Sequence, residues 1–403
     1  MGGISMRWIC ALLIITLVGC QTVVEPAKAD PIDLVRGNNT FAVDLYRQLS
    51  HTEGNLFLSP YSIYTALAMT SAGARGQTEQ QMMNQLHFPP RQELLQSMAQ
   101  IIRSMKERGA KKEYQLNSAN ALWGAKDSPF KADFLRVAKE YYGADLTNLD
   151  FARDPEGCRQ AINRWAEKET NDKIRDLITS GILSSETRLV LTNAIYFKAD
   201  WVSRFDKSLT SVEDFRVLSN QTTKVHMMNG TRHYAYLETD TFQALQMPYA
   251  GNDLALVALL PKKDDLAGLD EKLSTELIDS TIAKLAEQDV EVKFPKFKST
   301  SQFELVPALK SLGLTLPFGP DADFSGMSAK PLLLTKVIHK AFVDINEEGT
   351  EAAAATAVIA TRGGPPETPH PPVFRADHPF IYMIRDLRTG TILFMGRLSD
   401  PSK

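Results

Sequence analysis

The chain has 403 residues, a formal net charge of -3 and 43% hydrophobic residues. That length allows one large domain or two to three smaller ones, and the apolar content is enough for a large core. The near-balanced charge excludes a general affinity for nucleic acid. At the N-terminus, Arg7 precedes an apolar run from Trp8 to Val18. The run is shorter than the roughly 20 residues a membrane-spanning helix needs, so it reads as a targeting segment.

The run closes on Leu17-Val18-Gly19-Cys20, which resembles the lipobox of bacterial lipoproteins, where cleavage before the cysteine leaves it to be acylated. Residues 1–19 are therefore expected to leave as a signal peptide. Cys20 is expected to carry lipid, 20–37 to form a tether that is flexible from Gln21 to Pro31, and 38–403 to form the folded domain. The protein would be exported and anchored in the cell envelope at Cys20, or secreted if not lipidated. Cys10 leaves with the signal, so only Cys158 remains inside the domain. No intrachain disulfide can form, and nothing at Glu156, Gly157 or Arg159 suggests an activated thiol.

In chain order, Asn39 or Thr40 can cap a helix that places Phe41, Leu45 and Leu49 on one face. Ser59-Pro60 reads as an N-cap with proline at the first helical position, opening a helix through Ile63, Leu67 and Met69. Thr78 with Gln81 can form a capping box. Arg103, Lys106, Arg108, Lys111 and Lys112, diluted by Glu107 and Glu113, read as a solvated helix end. Strands are expected over 189–197, 254–260, 290–294, 332–338, 341–345 and 391–394. His226 beside Met227 and Met228 reads as core filling. The chain contains no HExxH, GxSxG, CxxC or glycine-rich phosphate loop, so no catalytic residues, metal or cofactor are expected.

The stretch from Glu347 to Thr361 has conflicting local preferences. Ala352, Ala353, Ala354 and Ala355 favour helix, yet they follow a strand-like alternation of Ala341, Val343 and Ile345 against Phe342 and Asp344. They also precede the β-branched Thr356, Val358 and Ile359. As a strand, Thr350, Ala352, Ala354, Thr356, Val358 and Ala360 form an uncharged face that can be buried, with Glu351 on the other face. Gly349 supplies a backbone pivot. A segment pulled both ways is a candidate switch.

From Asn38 to Pro401 the chain resembles the serpin family. The segment just described is similar to the serpin reactive-loop hinge. Further matching stretches, in family order, are Asn55 to Ile63, Gly73 to Thr78, Asn193 to Trp201 with Phe205, Met247-Pro248-Tyr249, Phe294 to Phe297, His339-Lys340-Ala341, His378-Pro379-Phe380 and Phe394 to Arg397. The resemblance implies an α+β fold of three β-sheets surrounded by about nine helices, with an exposed reactive-centre loop.

It also implies a suicide inhibitor of serine endopeptidases, not an enzyme. A protease attacks the loop, an acyl-enzyme ester joins the two proteins, and the cleaved loop enters the central sheet and distorts the protease. Loop insertion of this kind adds a strand to a sheet and releases strain stored in the uncleaved fold. On this reading Glu347, Gly349, Thr350, Glu351 and Ala352 to Ala355 are the hinge. Ser59, Ser62, Asn193 and His339 lie at a shutter where the sheet opens, and Trp201 lies at the breach where the loop enters. Twelve residues from Thr350 to Thr361 would span ~40 Å at ~3.3 Å each. Counting along the hinge reaches Gly363, and Arg362-Gly363 is the expected scissile bond, since a guanidinium suits a trypsin-like pocket. Val358, Ile359, Ala360 and Thr361 are the alternative bait, for elastase-like or subtilisin-like enzymes. Gly364, Pro365, Pro366, Pro369, Pro371 and Pro372 make an extended lead-in to Phe374. The expected partners are a target serine protease, held covalently, and also cysteine proteases. No nucleic acid is expected, the only membrane contact is the N-terminal lipid, and the protein is expected to be a monomer. Some serpins bind polyanions near the basic cluster noted above. The alternative is a non-inhibitory serpin acting as chaperone, carrier or storage protein.

Overall fold

The structure, a computed structural model, describes residues 31–109, 114–217, 221–350 and 370–403. The first helix, Pro31–Leu49, begins earlier than the sequence suggests. Proline suits a first helical turn, and Asp33 complements the positive end of the helix dipole. Residues 31–37, expected in the tether, are thus helical. Asn39 is no cap: it lies inside the helix, where its side chain donates to Gly390 O and accepts from the Ile392 amide. Phe41, Leu45 and Leu49 do share the buried face.

Ser59 caps the helix Pro60–Ser71 as expected, accepting from the Ser62 amide at 3.2 Å. All twelve residues of that helix are buried, and the hydroxyls of Thr65, Thr70 and Ser71 are satisfied by donating to carbonyls of the same helix. The capping box at Thr78 is not formed. The next helix starts at Gly76 behind Arg75. Thr78 Oγ1 instead accepts from the Asp323 amide, and Gln81 Oε1 accepts from the amides of Thr315 and Leu316.

Six strands form the smaller of two sheets. Their order is Phe297–Glu304, Leu334–Asn346, Gly349–Thr350, Leu189–Asp200, Tyr114–Ala125 and Asp145–Leu149. The expected strands 332–338 and 341–345 are one continuous strand, Leu334–Asn346. Its Ala341, Val343 and Ile345 face the main core. Leu189–Asp200 is buried over nearly its whole length, as a strand covered on both faces should be. Leu191, Ile195 and Phe197 point into the main core. Val190 and Ala194 point the other way, against Ile162 and Ala166 of the helix Pro155–Glu169. Cys158 of that helix is buried in the same cluster, and burial raises its thiol pKa.

The remaining strands form a second network of nine, in which Thr222–Glu238 pairs in succession with Ser211–Arg216, Ala286–Pro295 and Phe242–Pro248. Because that long strand serves several partners, the three expected sheets join into two hydrogen-bonded networks. With nine α-helices among the described residues, the architecture is the expected α+β fold.

Candidate functional site: the hinge, its entry point and a buried polar band

Strands Leu334–Asn346 and Leu189–Asp200 lie side by side in parallel, from Leu334 opposite Leu189 to Phe342 opposite Tyr196. Above that seam the chain reverses. A turn at Glu347 and Glu348 brings Gly349 opposite Asn346 and Thr350 opposite Ile345. On its other side, the same pair lies antiparallel to Asp200 and Ala199. Thr350 is fully buried between the two strands. Gly349 has φ +151°, and a Cβ there would collide with the carbonyl of Ala199. Only glycine fits this pivot.

The turn is pinned from both sides. The backbone carbonyl of Glu347 accepts from the Phe205 amide at 2.9 Å, and that of Glu348 accepts from the Trp201 amide at 2.8 Å. The Glu347 carboxylate pairs with Lys296 at 2.9 Å and accepts from Thr210 Oγ1 at 2.9 Å. Burial pushes the Glu347 pKa up, but Lys296, its own backbone amide and Thr210 more than offset this and hold it below the usual carboxylate range. Glu348 pairs with Lys207 at 2.6 Å.

Trp201 is buried beside the turn and donates from Nε1 to Asn346 O at 2.9 Å. Its ring stacks on Tyr249 with centroids 4.5 Å apart. The Tyr249 hydroxyl lies 2.8 Å from Thr350 Oγ1.

The expected shutter residues also come together, in the middle of the seam. His339 lies directly opposite Asn193, which lies opposite Asn120 on the next strand. His339 Nε2 accepts from the Ser59 amide at 3.1 Å. The proton therefore resides on Nδ1, which donates to Asn193 Oδ1. Asn193 Nδ2 donates to Ser62 Oγ and Asn120 Oδ1, Ser62 Oγ meets Ser118 Oγ at 2.6 Å, and Ser59 Oγ donates to Leu393 O. Complete burial lowers the His339 pKa to about 3, so the ring is neutral. The sequence did not single out Asn120, Ser118, Thr210 or Lys207, and it carried Lys296 only within the stretch Phe294 to Phe297, with no role assigned. Nothing in their local pattern distinguishes them from solvated polar residues.

After residue 369, the strand Val373–Arg375 pairs with Glu291 to Lys293. Arg375 bonds Glu213 and Asp377 at 2.9 and 3.0 Å, and Asp377 also meets Arg216 at 3.1 Å. Glu351, Ala352 to Ala355, Arg362, Gly363 and Cys20 lie outside the described residues. The expected solvated basic helix end is corrected at Arg108, which is buried against Asp386 and lies 3.6 Å from Asp253. His226 is exposed while Met227 and Met228 are core. Among the described residues no group of His, Cys, Asp or Glu has the arrangement of a metal site.

A family model described as "Serpin (serine protease inhibitor)" matches residues 36–401. An uncharacterized serpin-like protein of Thermococcus kodakarensis is 38% identical over 380 residues, covering 94% of this chain and 88% of the relative. The leukocyte elastase inhibitor of Sus scrofa is 41% identical over 386 residues, covering 91% and 99%. Among solved structures, human thyroxine-binding globulin is similar with a TM-score of 0.85 at 30% identity, covering 93% of this chain and 100% of that one.

Proposed function

The chain belongs to the serpin family, whose members include protease inhibitors, and from that premise we propose that it is a suicide inhibitor of trypsin-like serine endopeptidases. The observation that carries this reading is the position of Thr350 between the two central strands. In the cleaved, inserted form proposed here, the same antiparallel register would set Ala352 between Phe197 and Val343, and Ala354 between Ile195 and Ala341. Thr356 would then fall between Asn193 and His339. The two flanks agree on Thr356 because Asn193 and His339 already face each other across the seam.

The same count would bring Ala360 opposite Leu189 and Thr361 opposite Leu334, where the seam ends. Arg362 would then reach the foot of the sheet in the inserted form, which supports Arg362-Gly363 as the scissile bond. The residues that would face the main core are Thr350, Ala352, Ala354, Thr356, Val358 and Ala360, none charged, so insertion carries no buried-charge penalty. New ladder hydrogen bonds and apolar burial supply the downhill energy, and the uncleaved state is kinetically trapped.

The likeness to thyroxine-binding globulin keeps a carrier role as the second reading, and the uncharged face that alternates from Thr350 to Ala360 weighs against it. Export with a lipid on Cys20 is part of the proposal. It rests on Leu17-Val18-Gly19-Cys20 and is checked by fatty-acid labelling of the wild type against Cys20→Ser.

The main test mixes the protein with trypsin and with an elastase, followed by denaturing gels and mass spectrometry of the released C-terminal peptide. The expected result is a denaturant-resistant trypsin complex and a peptide beginning at Gly363. Clean cleavage with no complex and no gain in heat resistance, for every protease tried, overturns inhibition and favours the non-inhibitory reading.

A further inference from the structure

Tyr249 stands where the first inserting residue arrives. Its ring is fixed on two sides, stacked on Trp201 at 4.5 Å and edge-on to Phe197 at 5.2 Å. Its backbone is bridged to Trp201. Residue and ring are fully buried, so the hydroxyl cannot turn to water. A buried hydroxyl without a partner is costly, and Thr350 Oγ1, equally buried, supplies one at 2.8 Å. The contact joins residues 101 positions apart. Gly349 makes it reachable by letting the chain reverse against the Ala199 carbonyl.

We propose that Tyr249 is a positioning residue for the reactive-loop hinge, selecting a hydroxyl at position 350 and holding it in the first rung of the central sheet while the loop is still intact. The contact stands on the geometry alone. Its consequence rests on the inhibitory reading. After acylation, insertion competes with water for the ester. A chain that has already reversed and docked its first residue starts that race past the slow nucleating step, and more encounters end in trapped complex than in turnover.

The test uses the full chain in two measurements. Hydrogen exchange of the uncleaved protein reads the amides from Asn346 to Thr350. The number of inhibitor molecules consumed per trypsin trapped reads the consequence, alongside the rate of loop cleavage. Slow exchange is expected in the wild type and in Thr350→Ser. Tyr249→Phe and Thr350→Val should exchange about tenfold faster, and the double variant no faster than either single one, because both remove the same bond. Tyr249→Phe should consume several-fold more inhibitor with the cleavage rate unchanged, since the bait is untouched. Equal exchange in wild type, Tyr249→Phe and Thr350→Val, or additive effects in the double variant, overturns the docking role. Protected exchange with no complex from any protein, wild type included, upholds the docking and overturns the inhibitory reading instead.

Discussion

The carboxylate of Glu347 and the ammonium of Lys296 meet at 2.9 Å, with the Glu347 side chain only 5% exposed. Glu347→Gln removes the charge and leaves Lys296 without its partner at the mouth of the seam. A loss of about 1–3 kcal/mol is expected, below that of a fully buried pair because Lys296 is partly solvated. The pH sign follows from the lowered Glu347 pKa. The pair's contribution is complete above the ordinary carboxylate value and is lost as pH falls through the lower folded value. Urea midpoints of wild type and variant should differ by a constant amount near neutrality and converge below about pH 4.

His339 works in the opposite pH direction from a paired histidine. Its folded pKa of about 3 lies well below the unfolded value of ~6.5, so on acidification the unfolded chain takes up the proton first. Stability from this site is complete at neutral pH and falls by roughly 1 kcal/mol per pH unit below about 6.5. Denaturant titrations of His339→Gln against wild type at pH 7.5, 6 and 5 should show a shallower pH slope in the variant. Parallel slopes contradict the assignment.

Gly349→Ala tests the pivot. A non-glycine residue in that left-handed backbone region costs about 1–3 kcal/mol, before the collision with Ala199 is counted. The strain falls on the reversed turn, which opens, while the rest of the sheet keeps its pairing. The melting temperature should change little and the loop should still be cut. Trapped complex should fall at least about tenfold, read as inhibitor consumed per protease trapped.

Arg108 is the structural anchor of the helix Arg91–Gly109, through Asp386 and Asp253. Arg108→Gln leaves a buried carboxylate unpaired and should cost about 3 kcal/mol. Arg103→Gln and Lys106→Gln should each stay within about 0.5 kcal/mol in thermal melts. Equal effects at all three positions would return Arg108 to the solvated surface.

Where the determining interactions are local, the sequence alone was sufficient. Ser59 and Pro60 begin a helix because cap and first turn are adjacent in the chain. The alternation of Ala341, Val343 and Ile345 marks a strand face because side chains alternate with every residue. Thr350, small and uncharged, can lie buried between two strands because burial penalises bulk and charge. Only the tertiary structure decided which polar side chains meet. Asn39 and Thr78 look like caps until the chain brings Gly390, Ile392 and Asp323 against them. Arg108 looks solvated until Asp386, 278 residues away, buries it. Thr350 reads from the sequence as a residue a sheet can bury, but its neighbours Ala199, Ile345 and Tyr249 are decided only by the fold. A hydrogen bond or ion pair acts over about 3 Å of space, so residues distant in sequence interact only after folding, and no local pattern records their partners.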